Sequence, residues 1–148
     1  MSLFNIFKKK SKYEQDVEYA YRKAIEYAKS FYKNLDFTKE SIKDVEEILE
    51  YYANDLLQQK DTDEPVTENQ IWSMSLWWGV YIGETLRRNH LKSYKWVNDD
   101  SVQGFLPILK KDDDGILYPV SKVYKRLTNG KEDSVISFYD VVLGTMTN

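Results

Sequence analysis

The chain has 148 residues, with 21 basic and 24 acidic side chains, a formal charge of −3, no cysteine and one histidine. This length is enough for one domain with a hydrophobic core. The absence of cysteine excludes disulfides, thiol nucleophiles and cysteine-ligated metal sites, and a single histidine excludes zinc sites built from two or three histidines of one chain. The negative charge argues against nucleic acid as the main partner.

The first 12 residues form a basic and apolar extension. In residues 3–12 the apolar side chains precede a run of lysines, which is the opposite of the order in a secretory signal. This chemistry fits docking on an anionic membrane surface, and the alternative is a frayed or locally packed terminus. No apolar run approaches the length of a membrane span, and we expect a cytoplasmic protein.

Two amphipathic helices are predicted ahead of residue 60. Apolar residues spaced three and four apart predict the first helix over residues 13–34. The same spacing resumes after a short polar segment and predicts a second helix that ends near Gln58. Three residues compete for the N-cap of this second helix: Asp36, Thr38 and Ser41.

The third predicted helix, over residues 68–89, is the most informative segment. Thr67 and Gln70 form a capping-box pattern ahead of it, and apolar side chains occupy two of its faces, which is typical of a central helix. Two glycines inside a helix cost about 2 kcal/mol relative to alanine, so we expect another backbone to pack closely here. Small residues recur on this face at four-residue spacing, at Ser75, Gly79 and Gly83.

The composition changes after His90, where short β-branched and aromatic stretches alternate with turns rich in Asn and Asp. The predicted strands are residues 94–97, 102–109 and 115–118. They predict a small antiparallel meander, in which Pro107 places its segment at a sheet edge or at a strand irregularity.

Two short helices complete the chain. Pro119 fits the first turn of one, and Gly130 stands where a helix-terminating glycine is expected. Asp133 or Ser134 then caps a last helix that ends at Gly144. The order of elements predicts an α+β fold with three N-terminal helices, a small antiparallel meander and two short C-terminal helices.

No repeat or Pro/Gly/Ser-rich linker divides this chain. We expect a basic and apolar extension over residues 1–12, a single α+β domain over 13–144 and a tail over 145–148. Charge is uneven along these segments, since residues 1–35 carry a net charge of +4 and residues 36–148 carry −7.

One stripe of the third predicted helix supplies candidate residues for binding a ligand or a partner. The candidates along it are Trp77, Tyr81, Glu84 and Arg88, with Trp96 on the first predicted strand as a further one. Glu84 and Arg88 have the favourable i, i+4 order for an ion pair. If the stripe lines a groove, the pair orients a polar ligand or a partner's side chain. If the sheet covers the stripe, the pair is structural, which is the interpretation we favour.

The predicted helix that begins at Pro119 carries a group of basic residues, for which a nucleic-acid contact is one interpretation. Lys122, Lys125 and Arg126 with Tyr124 have the chemistry to meet phosphate and a base. Acidic residues are abundant in the same half of the chain, so we interpret this segment as a solvated helix face.

The chain resembles a loose group of small uncharacterised bacterial proteins. The resemblance lies in residues 78–88, Trp96, Pro119 and the Lys-Arg-Leu-Thr-Asn-Gly segment that ends at Gly130. The pattern of this group is a Gly-x-Tyr-x-Gly-Glu helix, a Trp strand, a Pro and a Lys-Arg-Leu-x-Asn-Gly-x-x-Asp-Ser segment. The similarity covers residues 36–140. It implies a bacterial cytosolic α+β domain and supplies no catalytic residues.

The sequence holds no Gly-rich phosphate loop, nucleophile elbow or dinucleotide fingerprint. We expect a non-enzymatic protein-interaction module without metal or cofactor, because the chain is small, acidic and rich in Tyr and Trp. The most specific version of this hypothesis is an immunity- or antitoxin-like protein. The expected partner is another protein, not nucleic acid. The alternatives are a peripheral membrane-associated accessory protein that uses residues 3–12 and a small-ligand-binding domain built on the stripe of the third helix.

Overall fold

A computed structural model describes residues 10–146 of the chain. The helices in this range are α1 (Lys12–Ala28), α2 (Lys39–Gln59), α3 (Glu68–Asn89), α4 (Pro119–Asn129) and α5 (Val135–Thr145). The strands are β1 (Lys95–Asn98), β2 (Pro107–Lys110) and β3 (Ile116–Leu117). This order confirms the α+β fold class, with three helices before the sheet and two after it. None of the helices in the described range has the length and apolar character to cross a membrane.

Side-chain caps fix where four of the five described helices begin. At α1 the Ser11 hydroxyl accepts the Glu14 N–H. Thr38 is the N-cap of α2, and its hydroxyl accepts the backbone N–H of Ser41. At α3, the Thr67 hydroxyl accepts the Gln70 N–H while the Gln70 side chain accepts the Thr67 N–H, so the predicted capping box is confirmed. Ser134 caps α5. Each cap satisfies a backbone donor that the first helical turn leaves unpaired.

The prediction that the first helix extends to residue 34 is wrong. α1 ends at Ala28, and a 3-10 turn over Lys29–Phe31 leads to Tyr32, whose φ of 59° lies in the left-handed region. The Lys33 N–H then donates to the Ala28 carbonyl at 3.1 Å, which closes the helix end. Glycine is the usual residue at such a position. Because tyrosine occupies it here, the sequence carries no stop signal.

α3 is the central helix, and α4 packs against both α3 and α2, which touch one another little. A Cβ atom placed on Gly79 would lie 2.6 Å from the Cα atom of Val120 and 2.9 Å from the carbonyl oxygen of Pro119. The expected close approach of a second backbone is therefore confirmed at this glycine. At Gly83 the neighbour is a side chain, since a Cβ atom there would lie 2.4 Å from the ring of Trp96.

The three strands form an antiparallel sheet in the order β1-β2-β3, with Trp96 opposite Leu109 and Asn98 opposite Pro107. Of the two positions predicted for Pro107, a sheet edge or a strand irregularity, the edge is wrong for its strand, because β2 lies between the other two strands. Pro107 is instead the first residue of its strand, a position where a sheet tolerates a missing N–H donor.

The interpretation of α4 as a solvated face is wrong for two of its basic residues. Arg126 is only 1% exposed, and its guanidinium donates to Glu46 at 2.8 Å and to Glu50, both on α2. Lys122 pairs with Asp133 at 3.0 Å. Burial alone would lower the pKa of Arg126, but the hydrogen bonds that its guanidinium donates to the two carboxylates outweigh burial and raise that pKa. These pairs tie α4 to α2 and to the turn that precedes α5.

Candidate functional site

The structure places the five predicted site residues in three environments. Trp77 lies in a groove formed by α1, α2 and α3. Tyr81 lies in the hydrophobic core. Glu84, Arg88 and Trp96 meet where β1 packs against α3, since both Arg88 and Trp96 donate hydrogen bonds to the Glu84 carboxylate.

Tyr81 is fully buried and serves to position the start of α2. Its hydroxyl accepts the backbone N–H of Phe37 at 2.9 Å and shares a 2.7 Å hydrogen bond with the hydroxyl of Ser41. Its ring stacks on that of Phe37. Burial raises the pKa of the Tyr81 hydroxyl, so it stays a neutral hydrogen-bonding group at physiological pH. No part of this side chain is open to a ligand.

Glu84 is 5% exposed, and four donated hydrogen bonds surround its carboxylate. Arg87 donates two, at 2.8 and 3.0 Å, Arg88 donates one at 2.8 Å and the indole N–H of Trp96 donates one at 3.0 Å. Burial alone would raise the pKa of Glu84, but these hydrogen bonds outweigh it and lower that pKa. The carboxylate is therefore ionised and engaged with the protein itself. This geometry favours the structural interpretation of the Glu84 and Arg88 pair.

The described end of the predicted N-terminal extension is tied to α1. Lys10 pairs with Glu18, and Lys12 pairs with Asp16 at 2.8 Å. The membrane-docking hypothesis depends mainly on the apolar side chains of residues 3–9, which lie outside the described residues.

A groove of about 460 Å³ opens between α1, α2 and the N-terminal half of α3. We call it the aromatic groove; its lining includes Tyr27, Tyr52, Asp55, Leu56, Met74 and Trp77. The rings of Tyr27 and Trp77 are stacked, with centroids 5.1 Å apart. Tyr52 is held edge-on by Phe31 and by Tyr51. Rigid rings fixed in this way form a preorganised apolar surface, because little side-chain entropy remains to be lost on binding.

Large apolar side chains are also exposed next to the groove. Tyr51, whose ring touches that of Tyr52, is 58% exposed, and Tyr27, whose ring lines the groove, is 40% exposed. Apolar surface of this kind around a concave site marks a binding surface more often than scattered single residues do.

A second groove of about 450 Å³ lies on the other side of the N-terminal half of α3. Its lining includes Trp72, Val102 and Phe105, and it shares Asn69 and Ser73 with the aromatic groove. The first turns of α3 thus form a ridge with apolar surface on both sides.

Acidic side chains lie in the aromatic groove and on the loop beside it. The Asp55 carboxylate is partly buried in the groove, and both of its oxygens accept from the Gln59 amide at 2.9 Å. No lysine or arginine among residues 10–146 forms an ion pair with it. The loop that contributes Val66 to the groove also carries three exposed acids, at Asp61, Asp63 and Glu64.

Trp77 is a candidate from the sequence alone, whereas Tyr27, Tyr52 and Asp55, which lie on other helices, are not. The available signal was the unusual number of tyrosines, 12 in the chain, several of them on the polar sides of the first two helices. That signal did not indicate which of them face Trp77.

No group of three or more histidine, aspartate or glutamate side chains arranged to hold a metal ion occurs in the described part of the chain. Comparisons with models of protein families, with curated proteins and with solved structures find no match to this chain.

Proposed function

We propose that this chain is a non-enzymatic protein-interaction module that binds a basic partner protein at the aromatic groove. The observation that carries the proposal is a preformed groove of about 460 Å³, lined by tyrosine and tryptophan rings and containing an acid without a cationic partner in the described residues. An immunity- or antitoxin-like role in the cytoplasm of a bacterium is the specific form that we propose to test.

Two physical arguments support a protein as the partner. Tyrosine and tryptophan are enriched where interfaces gain most of their binding energy, because they bury a large area at a small cost in side-chain entropy. The exposed ring of Tyr51 also contacts the groove-lining ring of Tyr52, so apolar surface continues outside the groove, as a protein partner would use. The acidic loop beside it favours a basic partner and speeds association with one.

The test requires a variant that fills the groove without removing any packing. Ser73 is exposed and lies where the two grooves meet, so the larger side chain of Ser73→Tyr obstructs them at this ridge while the core stays unchanged. Ser137 is an exposed helical serine that lines neither groove, which makes Ser137→Tyr the matched control.

Binding is measured by calorimetry between the purified full chain and each protein encoded beside its gene. We expect one basic protein to bind the native chain and the Ser137→Tyr variant with submicromolar affinity, and to bind the Ser73→Tyr variant at least about tenfold more weakly. Equal affinity for the two variants would remove the groove from the proposal. The absence of any binding protein in that set would rule out the immunity-like form.

A further inference from the structure

The Asp55 carboxylate indicates which side chain of a partner the aromatic groove accepts. We infer that the groove binds an arginine side chain of the partner, with Asp55 as its counter-charge and the rings of Tyr52 and Trp77 as the surface on which it lies. This inference rests on the proposed function, since it names the chemistry of the partner at the same groove.

Asp55 has unused capacity to accept hydrogen bonds. Its two oxygens receive one amide nitrogen, that of Gln59, whereas an ionised carboxylate offers about four acceptor positions. Lys23 on α1, whose ammonium group lies 5.8 Å from the Tyr27 ring centroid, pairs with Glu26 at 3.8 Å and not with Asp55. A partly buried carboxylate in an apolar groove gains when a partner brings a cation to it, because the surroundings screen the interaction less than open water does.

Arginine suits this combination better than lysine. Its planar guanidinium group stacks on aromatic rings, donates two parallel hydrogen bonds to a carboxylate and is more weakly hydrated than an ammonium group. The same protein holds an arginine in this way at another place. The Arg88 guanidinium lies 3.8 Å from the ring centroid of Phe37 while it donates to the carboxylate of Glu84. The aromatic groove has rings and a carboxylate as well, and the place of the guanidinium is left for a partner's arginine.

Two short peptides separate the contribution of the charge from that of shape. Acetyl-Leu-Arg-Leu-amide is the probe, and acetyl-Leu-citrulline-Leu-amide is its control, since citrulline has nearly the shape of arginine without the charge. Binding to the full-length chain is followed through the amide and indole resonances of its ¹H–¹⁵N spectrum, in which Trp77 and Asp55 report on the groove. We expect the arginine peptide to shift these resonances saturably, with a dissociation constant on the order of 1 mM, and to bind about fivefold more tightly than the citrulline peptide.

Two variants show whether the preference for the arginine peptide depends on Asp55. Asp55→Asn keeps the size of the side chain and an oxygen for Gln59, and we expect it to bind both peptides equally. Asp61→Asn makes the same change in net charge on the exposed loop outside the groove lining, and we expect it to keep the preference for arginine. Equal binding of the two peptides to the native chain, no shift at the groove with either peptide, or a preference that survives Asp55→Asn would each overturn the inference.

The failure of this inference is distinguishable from the failure of the proposed function. If a partner protein loses affinity for Ser73→Tyr but not for Asp55→Asn, the groove binds a protein and the arginine assignment is wrong. If the arginine peptide binds in an Asp55-dependent manner while no partner protein is affected by Ser73→Tyr, the inference holds and the proposed function fails.

Discussion

Replacing Gly79 by alanine tests whether α4 is locked against α3 by backbone contact. Alanine is favoured over glycine inside a helix by about 1 kcal/mol, so helix propensity alone predicts a more stable protein. The new Cβ atom would lie 2.6 Å from the Cα atom and 2.8 Å from the nitrogen of Val120, whereas unstrained contacts between carbon atoms are about 3.5–4.0 Å. The backbone of α4 would have to move by about 1 Å.

Overpacking of this kind costs about 1–3 kcal/mol, and a backbone neighbour places Gly79→Ala at the upper end of that range. After the gain in propensity we expect the free energy of unfolding to fall by about 2 kcal/mol, or roughly 4–8 °C in melting temperature. Gly144 provides the matched control, because it lies in α5 and has no neighbour within 4 Å of the added atom. We expect Gly144→Ala to raise stability by about 0.5 kcal/mol, less than the full propensity gain because the helix ends one residue later.

The assay is urea unfolding of both variants and the native chain, followed by tryptophan fluorescence and extrapolated linearly to zero urea. If Gly79→Ala were as stable as the native chain, or if the two glycine variants changed stability in the same direction, the argument from backbone contact would be wrong. Gly83→Ala is expected to fall between them, since its neighbour is the ring of Trp96, a side chain with room to adjust.

Three further predictions concern charge and backbone conformation. Glu84→Gln should lower the free energy of unfolding by about 2 kcal/mol at pH 7. Because the folded-state pKa of Glu84 lies below its unfolded value, this difference should shrink as the pH falls from about 4.5 through that lowered pKa. Urea titrations at a series of pH values from 7 to 3 test this, and a difference that stays constant would refute it. Arg126→Met should cost about 3 kcal/mol at neutral pH by leaving the Glu46 and Glu50 carboxylates unpaired. Because the hydrogen bond from Arg126 holds the pKa of Glu50 below its usual range, chemical denaturation at pH 4 should show a smaller loss, and an equal loss at both pH values would contradict this origin. Tyr32→Gly should raise the melting temperature by roughly 2–3 °C, because glycine adopts a positive φ without strain and the 97% exposed ring contributes no packing. Tyr32→Ala should leave the melting temperature unchanged, and calorimetry of both variants checks this.

The sequence predicts local features of this fold well and distant contacts poorly. The capping box at Thr67 and the close approach at Gly79 follow from neighbouring residues or from the composition of one helix face, and the structure confirms both. The end of α1 is not predictable from the sequence, because Tyr32 adopts a left-handed conformation that is rare for tyrosine. Such a position is recognisable only from the hydrogen bonds that close the helix.

The candidate site could be predicted only in part, for the same reason. Trp77 stands out on its helix, but its stacking partner Tyr27 is 50 residues earlier in the chain, and helical periodicity does not indicate which two helices will face each other. Arg126 is a similar case, since 80 residues separate it from Glu46. Without that contact, a basic residue on a short helix is indistinguishable from a solvated one.

The position of α4 between α2 and α3 bears on how the protein folds while it is being made. The first three helices emerge from the ribosome before their common neighbour exists, so the Gly79 face of α3 and the carboxylates of α2 that will hold Arg126 stay uncovered at that stage. About 40 residues separate the end of α3 from the end of α4, which corresponds to roughly 2–8 s of synthesis at bacterial or eukaryotic rates. During those seconds the nascent chain exposes apolar surface that chaperones recognise, and a chain released before residue 119 would lack the helix that joins its halves.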